Sequence, residues 1–243
     1  MQKSELNREL RRKLEELLLQ RSTLLVAAAE KPEVTQTISH YGGDPYFEIG
    51  EEWPVNPDTG QPLELIFQLV SEDNMPWPFP AKIVQFYHNY YDGEPPFDEN
   101  HEPKDHCLKT YPAICPNRQV HLARPAALPP ISFKQITVRV EPSLPDDDEL
   151  EYISPATEAL CQQIAPSDWP FAYNSAVEEL IGEQDLGSWV GGYAQWLQSA
   201  SPTGIFWLEF DSTEDFSWGD AGLLYFFSDP TNPLDISFQL QCC

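Results

Sequence analysis

The chain has 243 residues, 41% of them hydrophobic and 12% aromatic, which suits one body built from two related halves and is short for two independent domains. Its formal charge of −25 is unevenly spread: residues 1–31 hold seven Lys and Arg against five acids, residues 32–140 seven against 15, and residues 141–243 hold 19 acids and no base. A field of that sign repels nucleic-acid phosphates and anionic lipid and attracts basic proteins or cations, which argues against nucleic-acid and membrane partners.

In chain order, residues 4–30 read as a long helix. Leu6, Leu10, Leu14, Leu17 and Leu18 recur at spacings of three and four, opposite Arg8, Arg11, Arg12, Glu15 and Glu16, and Pro32 limits its end. Such a helix is expected to cover a sheet face. No secretory signal is expected, because Arg11-Arg12-Lys13 is followed by Glu15 and Glu16, and the run Leu24–Ala29 is too short to span a bilayer. The expected location is the cytoplasm, and five cysteines at 107, 115, 161, 242 and 243 make no disulfide framework.

Beyond Pro32 the period changes to that of strands. Leu63, Leu65, Phe67 and Leu69 alternate with Glu64, Ile66 and Gln68, and Ile83–Tyr87 follows as a second strand. His88–Pro130 reads as a long excursion with little regular structure, Ile131–Val140 as a strand, and Glu141–Glu151 (EPSLPDDDELE) as a linker or exposed loop. Ser154–Ile164 and Ser175–Ile181 read as short helices. In Ile205–Asp211, alternation puts Phe206, Leu208 and Phe210 on a core face and Ile205, Trp207, Glu209 and Asp211 on a mixed face bordering a groove, the other half or solvent.

The stretch Trp189–Phe227 organises this pattern, and an earlier stretch parallels it. Tyr41-Gly42-Gly43-Asp44 parallels Val190-Gly191-Gly192-Tyr193, Ile66–Leu69 parallels Ile205–Leu208, and Ile83–Tyr87 parallels Leu223–Phe227. The expected fold is therefore α+β and internally duplicated, with mainly antiparallel β-sheets and the N-terminal helix packed on them. Its expected parts are the helix at 1–32, a first β-rich half at 33–145 and a second at 146–243.

Gly42-Gly43-Asp44-Pro45-Tyr46, Glu52-Trp53-Pro54 and Pro62-Leu63, then Gly191-Gly192-Tyr193, Gln195-Trp196 and Trp218-Gly219-Asp220-Ala221-Gly222, make the chain resemble the YwqG-like family of bacterial proteins, a domain of unknown function. That resemblance implies an α+β body with an internal repeat of mainly antiparallel strands. It implies no reaction and no cofactor.

Candidate sites are few. His101, Asp105, His106, Cys107 and Cys115, with Asp98, Glu99 and Glu102, gather metal-ligating types without the paired spacing of a structural zinc site, so no metal is assigned to them. Asp211, Glu214, Asp215 and Asp220 offer oxygen ligands without the spacing of an EF-hand loop. His40 is a lone candidate base, Asp44 and Glu52 a candidate acid–base pair, and the seven tryptophans candidate lining of a sugar or peptide groove. No nucleophile elbow, Walker loop, H-E-x-x-H or G-x-G-x-x-G is present, and no catalytic residue or cofactor is assigned.

The expected function is a non-enzymatic acidic module that binds a basic protein, as an immunity protein blocks the active-site cleft of a toxin. The expected contact residues are Glu209, Asp211, Glu214, Asp215, Trp218 and Asp220. The alternative is a metal- or small-ligand-dependent enzyme acting in a cleft between the halves, where Asp44, Asp211 and Asp220 would converge.

Overall fold

The structure, a computed structural model, describes residues 3–73, 75–77, 79–89, 106–184 and 186–242. Helix α1 (Lys3–Leu17) leads into β1 (Leu19–Ala28), β2 (His40–Tyr41), β3 (Phe47–Glu48), β4 (Glu64–Val70), β5 (Ile83–His88), β6 (His106–Tyr111), β7 (Gln119–Val120) and β8 (Lys134–Ser143). A 3₁₀ turn (Asp147–Glu149), α2 (Leu150–Ile153), α3 (Pro155–Ile164) and α4 (Trp169–Ile181) follow. The chain ends in β9 (Trp189–Gly191), β10 (Ile205–Asp211), β11 (Leu223–Ser228) and β12 (Ile236–Gln241). The architecture is α+β with a mostly antiparallel sheet. No helix among the described residues is long and apolar enough to cross a membrane.

The long N-terminal helix is corrected. Alpha-helical structure stops at Leu17, and residues 19–28 instead form a central strand that pairs with β8 over ten positions and with β9 on its other side. Backbone ladders on both edges outweigh helix propensity in a segment carrying Thr23 and Val26. The leucine stripe survives for its first three members: Leu6, Leu10 and Leu14 are buried against Leu160 and Cys161 of α3 and Tyr173 and Val177 of α4, so α1 packs on helices. The acidic stretch after β8 is also packed, with Leu144 and Leu150 fully buried and Tyr173 donating to the Pro145 carbonyl at 2.7 Å.

Ten strands form one sheet in the order β12-β11-β10-β9-β1-β8-β2-β4-β5-β6, which has the same plan from either end. The central antiparallel pair β1–β8 is flanked on each side by a short strand that leads into a Gly-Gly pair, Gly42-Gly43 after β2 and Gly191-Gly192 at the end of β9, then by three longer strands. The local geometry repeats as well. Register slips at Ile66 between β4 and β5 and at Trp207 between β10 and β11. Ser39 Oγ accepts from Val70 N at 2.9 Å, and Ser188 Oγ accepts from Asp211 N at 2.8 Å. Tyr46 N donates to Gln68 Oε1 at 2.7 Å, and Gln195 N donates to Glu209 Oε2 at 2.9 Å. Gln85 Nε2 reaches the Tyr46 carbonyl at 2.8 Å where the Tyr225 hydroxyl reaches the Gln195 carbonyl at 2.9 Å. These bonds place Ile66 with Trp207 and Gln68 with Glu209, two residues away from the alignment that sequence likeness suggests.

The bulges also overturn the alternation expected in β10. Two neighbouring residues, Trp207 and Leu208, join the same core as Phe210, and Ile66 and Phe67 do the same beside Leu69. The sheet curls so that this core draws on both sides: Phe67 lies 4.9 Å from Phe210, Phe86 5.1 Å from Phe226, and His106 of one edge strand 4.9 Å from Phe238 of the other. The result is a nearly closed, barrel-like body. Its Gly-Gly corners need glycine: Gly191 has φ of 72°, and a Cβ there would stand 2.5 Å from the Pro76 carbonyl oxygen. Gly191→Ala is expected to lower stability by about 2 kcal/mol or more, measured by urea unfolding.

Candidate functional site

The expected contact surface lies on the loop from β10 to β11. Ser212 Oγ donates to the Gly222 carbonyl at 2.8 Å, and Thr213 Oγ1 accepts from Asp215 N and Phe216 N at 3.2 and 3.1 Å, folding the loop back on itself. Phe216 and Trp218 stack at 6.3 Å and bury the underside. Lys134 reaches in from β8 and pairs with Asp215 at 2.9 Å and with Glu214.

The six residues expected to meet a partner therefore separate. Glu214 and Asp220 are exposed, Asp211 and Asp215 half-buried, and Glu209 and Trp218 buried. Trp218 holds the loop from beneath. Glu209 faces the interior, where burial pushes its carboxyl well above the usual range, the Gln195 N–H pulling the other way. Its Oε1 has no hydrogen-bond partner. Burial also raises Asp211.

Other candidates resolve individually. His40 is fully buried, and burial holds its ring down to about 4, so it is a neutral packed group. Asp44 is engaged by Lys31 at 2.9 Å and faces His121 at 3.5 Å, while Glu52 is exposed. The tryptophans at 53, 77 and 169 are half-buried and those at 189, 196, 207 and 218 buried, which makes them packing elements. Where the alternative reading expects a cleft between the halves, the rings of Phe67, Phe86, Phe210 and Phe226 fill the interior.

Asp98, Glu99, His101, Glu102 and Asp105 lie outside the described residues. His106 and Cys107 are neighbours on β6, so their side chains take opposite faces: His106 meets Phe86 and Phe238, and Cys107 packs by Phe47, Leu63 and Tyr87. Burial raises the Cys107 thiol, which works against thiolate ligation. Cys115 is half-buried and unpaired. Among the described residues the carboxylates that gather closely are Asp146, Asp147 and Asp148, where Asp146 accepts from Asp148 N at 3.0 Å as a cap.

Sequence reasoning missed the charged network on the outer face of β1, β8 and β9. Arg21 lies 4.2 Å over the Trp189 ring and pairs with Glu141 at 3.0 Å; Thr23 Oγ1 and Arg139 Nε donate to the same carboxylate at 2.5 and 2.9 Å. Burial works against the charge of Glu141, but these donors outweigh it and hold the carboxyl below its ordinary range. Nearby, burial pushes Glu149 and Asp146 up to about 7 each, and the like charges of Asp147 and Asp148 add to the rise of Asp146. The missed signal is the pairing of β1 with β8, which joins residues 120 apart in sequence.

Basic side chains are consumed in the same way elsewhere. Arg11 pairs with Glu15, Arg12 with Glu9 and Glu16, Lys109 with Glu51, Arg118 with Glu48 and Arg124 with Glu64. No curated protein matches the chain. A family model described as a domain of unknown function, DUF1963, matches residues 39–239, from the strand before the first Gly-Gly corner to the last strand of the sheet, and the chain belongs to that family.

Proposed function

We propose that this chain is an acidic, non-enzymatic protein-binding module of the immunity type, which neutralises a basic toxin by occupying its active-site cleft. The observation that carries the reading is the disposition of charge. Most bases are paired within the molecule, whereas residues 141–243 contain no base and expose Asp168, Glu178, Glu179, Glu214, Asp220 and Asp229. Surface acids in such excess steer a basic partner at long range, and aromatic packing beneath the loop keeps Glu214 and Asp220 presented. The contact residues are Asp211, Glu214, Asp215 and Asp220, with Glu209 and Trp218 supporting them from within.

The repeated bonds at Gln68 and Glu209 support descent of the two halves from one duplicated unit, and the motif order supports a place among YwqG-like bacterial proteins. A cytoplasmic location belongs to the same reading. The test is capture from a lysate of the source organism at low salt, using wild type and a variant with Asp211→Asn, Glu214→Gln, Asp215→Asn and Asp220→Asn. The wild type is expected to retain a basic protein and the variant to associate with it about tenfold more slowly. Equal association rates would overturn the placing of the surface.

A further inference from the structure

A groove of about 610 Å³ lies between α1 and α4, lined mostly by helical residues. Its apolar lining includes Leu10, Ile164, Ala176 and Phe171, the last 68% exposed, an exposure that packing within the chain does not explain. Arg8, Arg11 and Glu179 also line it, and Arg11 is paired with Glu15. Arg8 makes a hydrogen bond from Nε to the Ser4 carbonyl at 3.4 Å and has no carboxylate partner among the described residues, in a molecule where most arginines have one.

We propose that this groove binds a single-chain amphiphile with a carboxylate head, its alkyl chain along the apolar lining and its head on Arg8. Charge complementarity places the head at the α1 wall, in the one segment of this acidic chain, residues 1–31, where bases outnumber acids, seven against five, since Glu179 on α4 repels it from the opposite side. The length agrees. Lining residues on α4 run from Phe171 to Leu180, which at about 1.5 Å per residue spans about 14 Å, the reach of an extended chain of about ten to twelve carbons. That span seats little more than two turns of a partner helix, at about 5.4 Å per turn. The volume lies within the range of small-ligand sites, about 300–1,000 Å³.

Dodecanoate titrated into the full chain by calorimetry tests this. One molecule is expected to bind per chain with micromolar Kd, Arg8→Ala is expected to weaken it about five- to tenfold, and dodecanol is expected to bind the Arg8→Ala variant and wild type equally. Ser175 is exposed on α4 and lines the groove, so Ser175→Trp fills it and is expected to abolish binding. Absence of saturable binding to the wild type would overturn the proposal, as would binding unchanged by Ser175→Trp. Dodecanol binding the wild type as tightly as dodecanoate would overturn the carboxylate head. A concentration-dependent dimer in sedimentation, lost in Ser175→Trp, would assign the groove to a second copy instead.

Discussion

Trp207→Ala is expected to cost about 3–5 kcal/mol, the upper part of the range for truncating a buried side chain. Trp207 is fully buried at the bulge of β10, stacks on Phe79 at 5.3 Å, and meets Trp77 at 6.1 Å and Phe226 at 5.6 Å. Phe79 and Trp77 come from the segment between β4 and β5, so the indole joins the two sides of the sheet. Removing it opens a cavity in a core shared by both, and the chain is expected to unfold in one transition with Tm lowered by about 10 °C or more. Trp207→Phe is expected to cost much less. The indole Nε1 has no hydrogen-bond partner, so phenylalanine loses some packing but removes an unsatisfied donor. Calorimetry of both variants decides: equal losses would mean the N–H is satisfied, and two separated transitions would mean the core is not shared.

Glu209→Gln is expected to stabilise the protein at pH 8 by about 1–3 kcal/mol. Its counterpart Gln68 shows why. Gln68 accepts from Tyr46 N and Gln85 Nε2 and donates to the carbonyls of Gln36 and Ile38 at 3.1 and 2.9 Å, so an amide is fully used at that place in the fold. Glu209 sits at the equivalent place with one oxygen unpartnered and with its pKa raised by burial. The sign follows from the raised value. Below about pH 4 the carboxyl is protonated in both folded and unfolded chains and imposes no penalty. As pH rises past that, the unfolded chain releases the proton while the fold retains it, so stability falls until the folded pKa is passed. Asp146 and Glu149, raised to about 7 each, act in the same direction between about pH 4 and 7. Glu141, lowered by its donors, acts oppositely and loses its contribution as pH falls through its folded pKa. Wild-type Tm is therefore expected to peak near pH 5 and decline toward pH 8, with a shallower decline in Glu209→Gln. A variant that is less stable at pH 8 would mean that Glu209 is ionised and favourably bound.

How far the sequence is legible follows from whether a signal is local. The Gly-Gly corners, the strand Leu223–Ser228 and the helix after Ser154 are set by local rules: positive φ, period-two aromatics, and proline at the first helical turn. The N-terminal segment misleads because Leu17, Leu18, Leu24 and Leu25 continue a helical spacing while long-range pairing with β8 claims residues 19–28. Bulges at Ile66 and Trp207 insert a residue into each period, which is why alternation puts Trp207 and Glu209 on the mixed face; sequence likeness falls two residues out of register because it matches the Ile-Phe pairs at 66–67 and 205–206, whereas the bulges match 66 with 207. Burial of Glu149 and Glu209 has no composition signature at all, since neighbouring acids such as Glu151 and Glu214 are exposed. The acidic loop is legible as a loop, but the lysine that occupies two of its acids comes from β8, about 80 residues earlier in the chain.

The association rate of the captured basic partner, followed from about 20 to 500 mM salt, tests the proposed function most directly. The account predicts a rate that falls at least tenfold over that range while the dissociation rate changes little, because exposed acids act before contact. A rate independent of salt, or a retained partner without net positive charge, would contradict it.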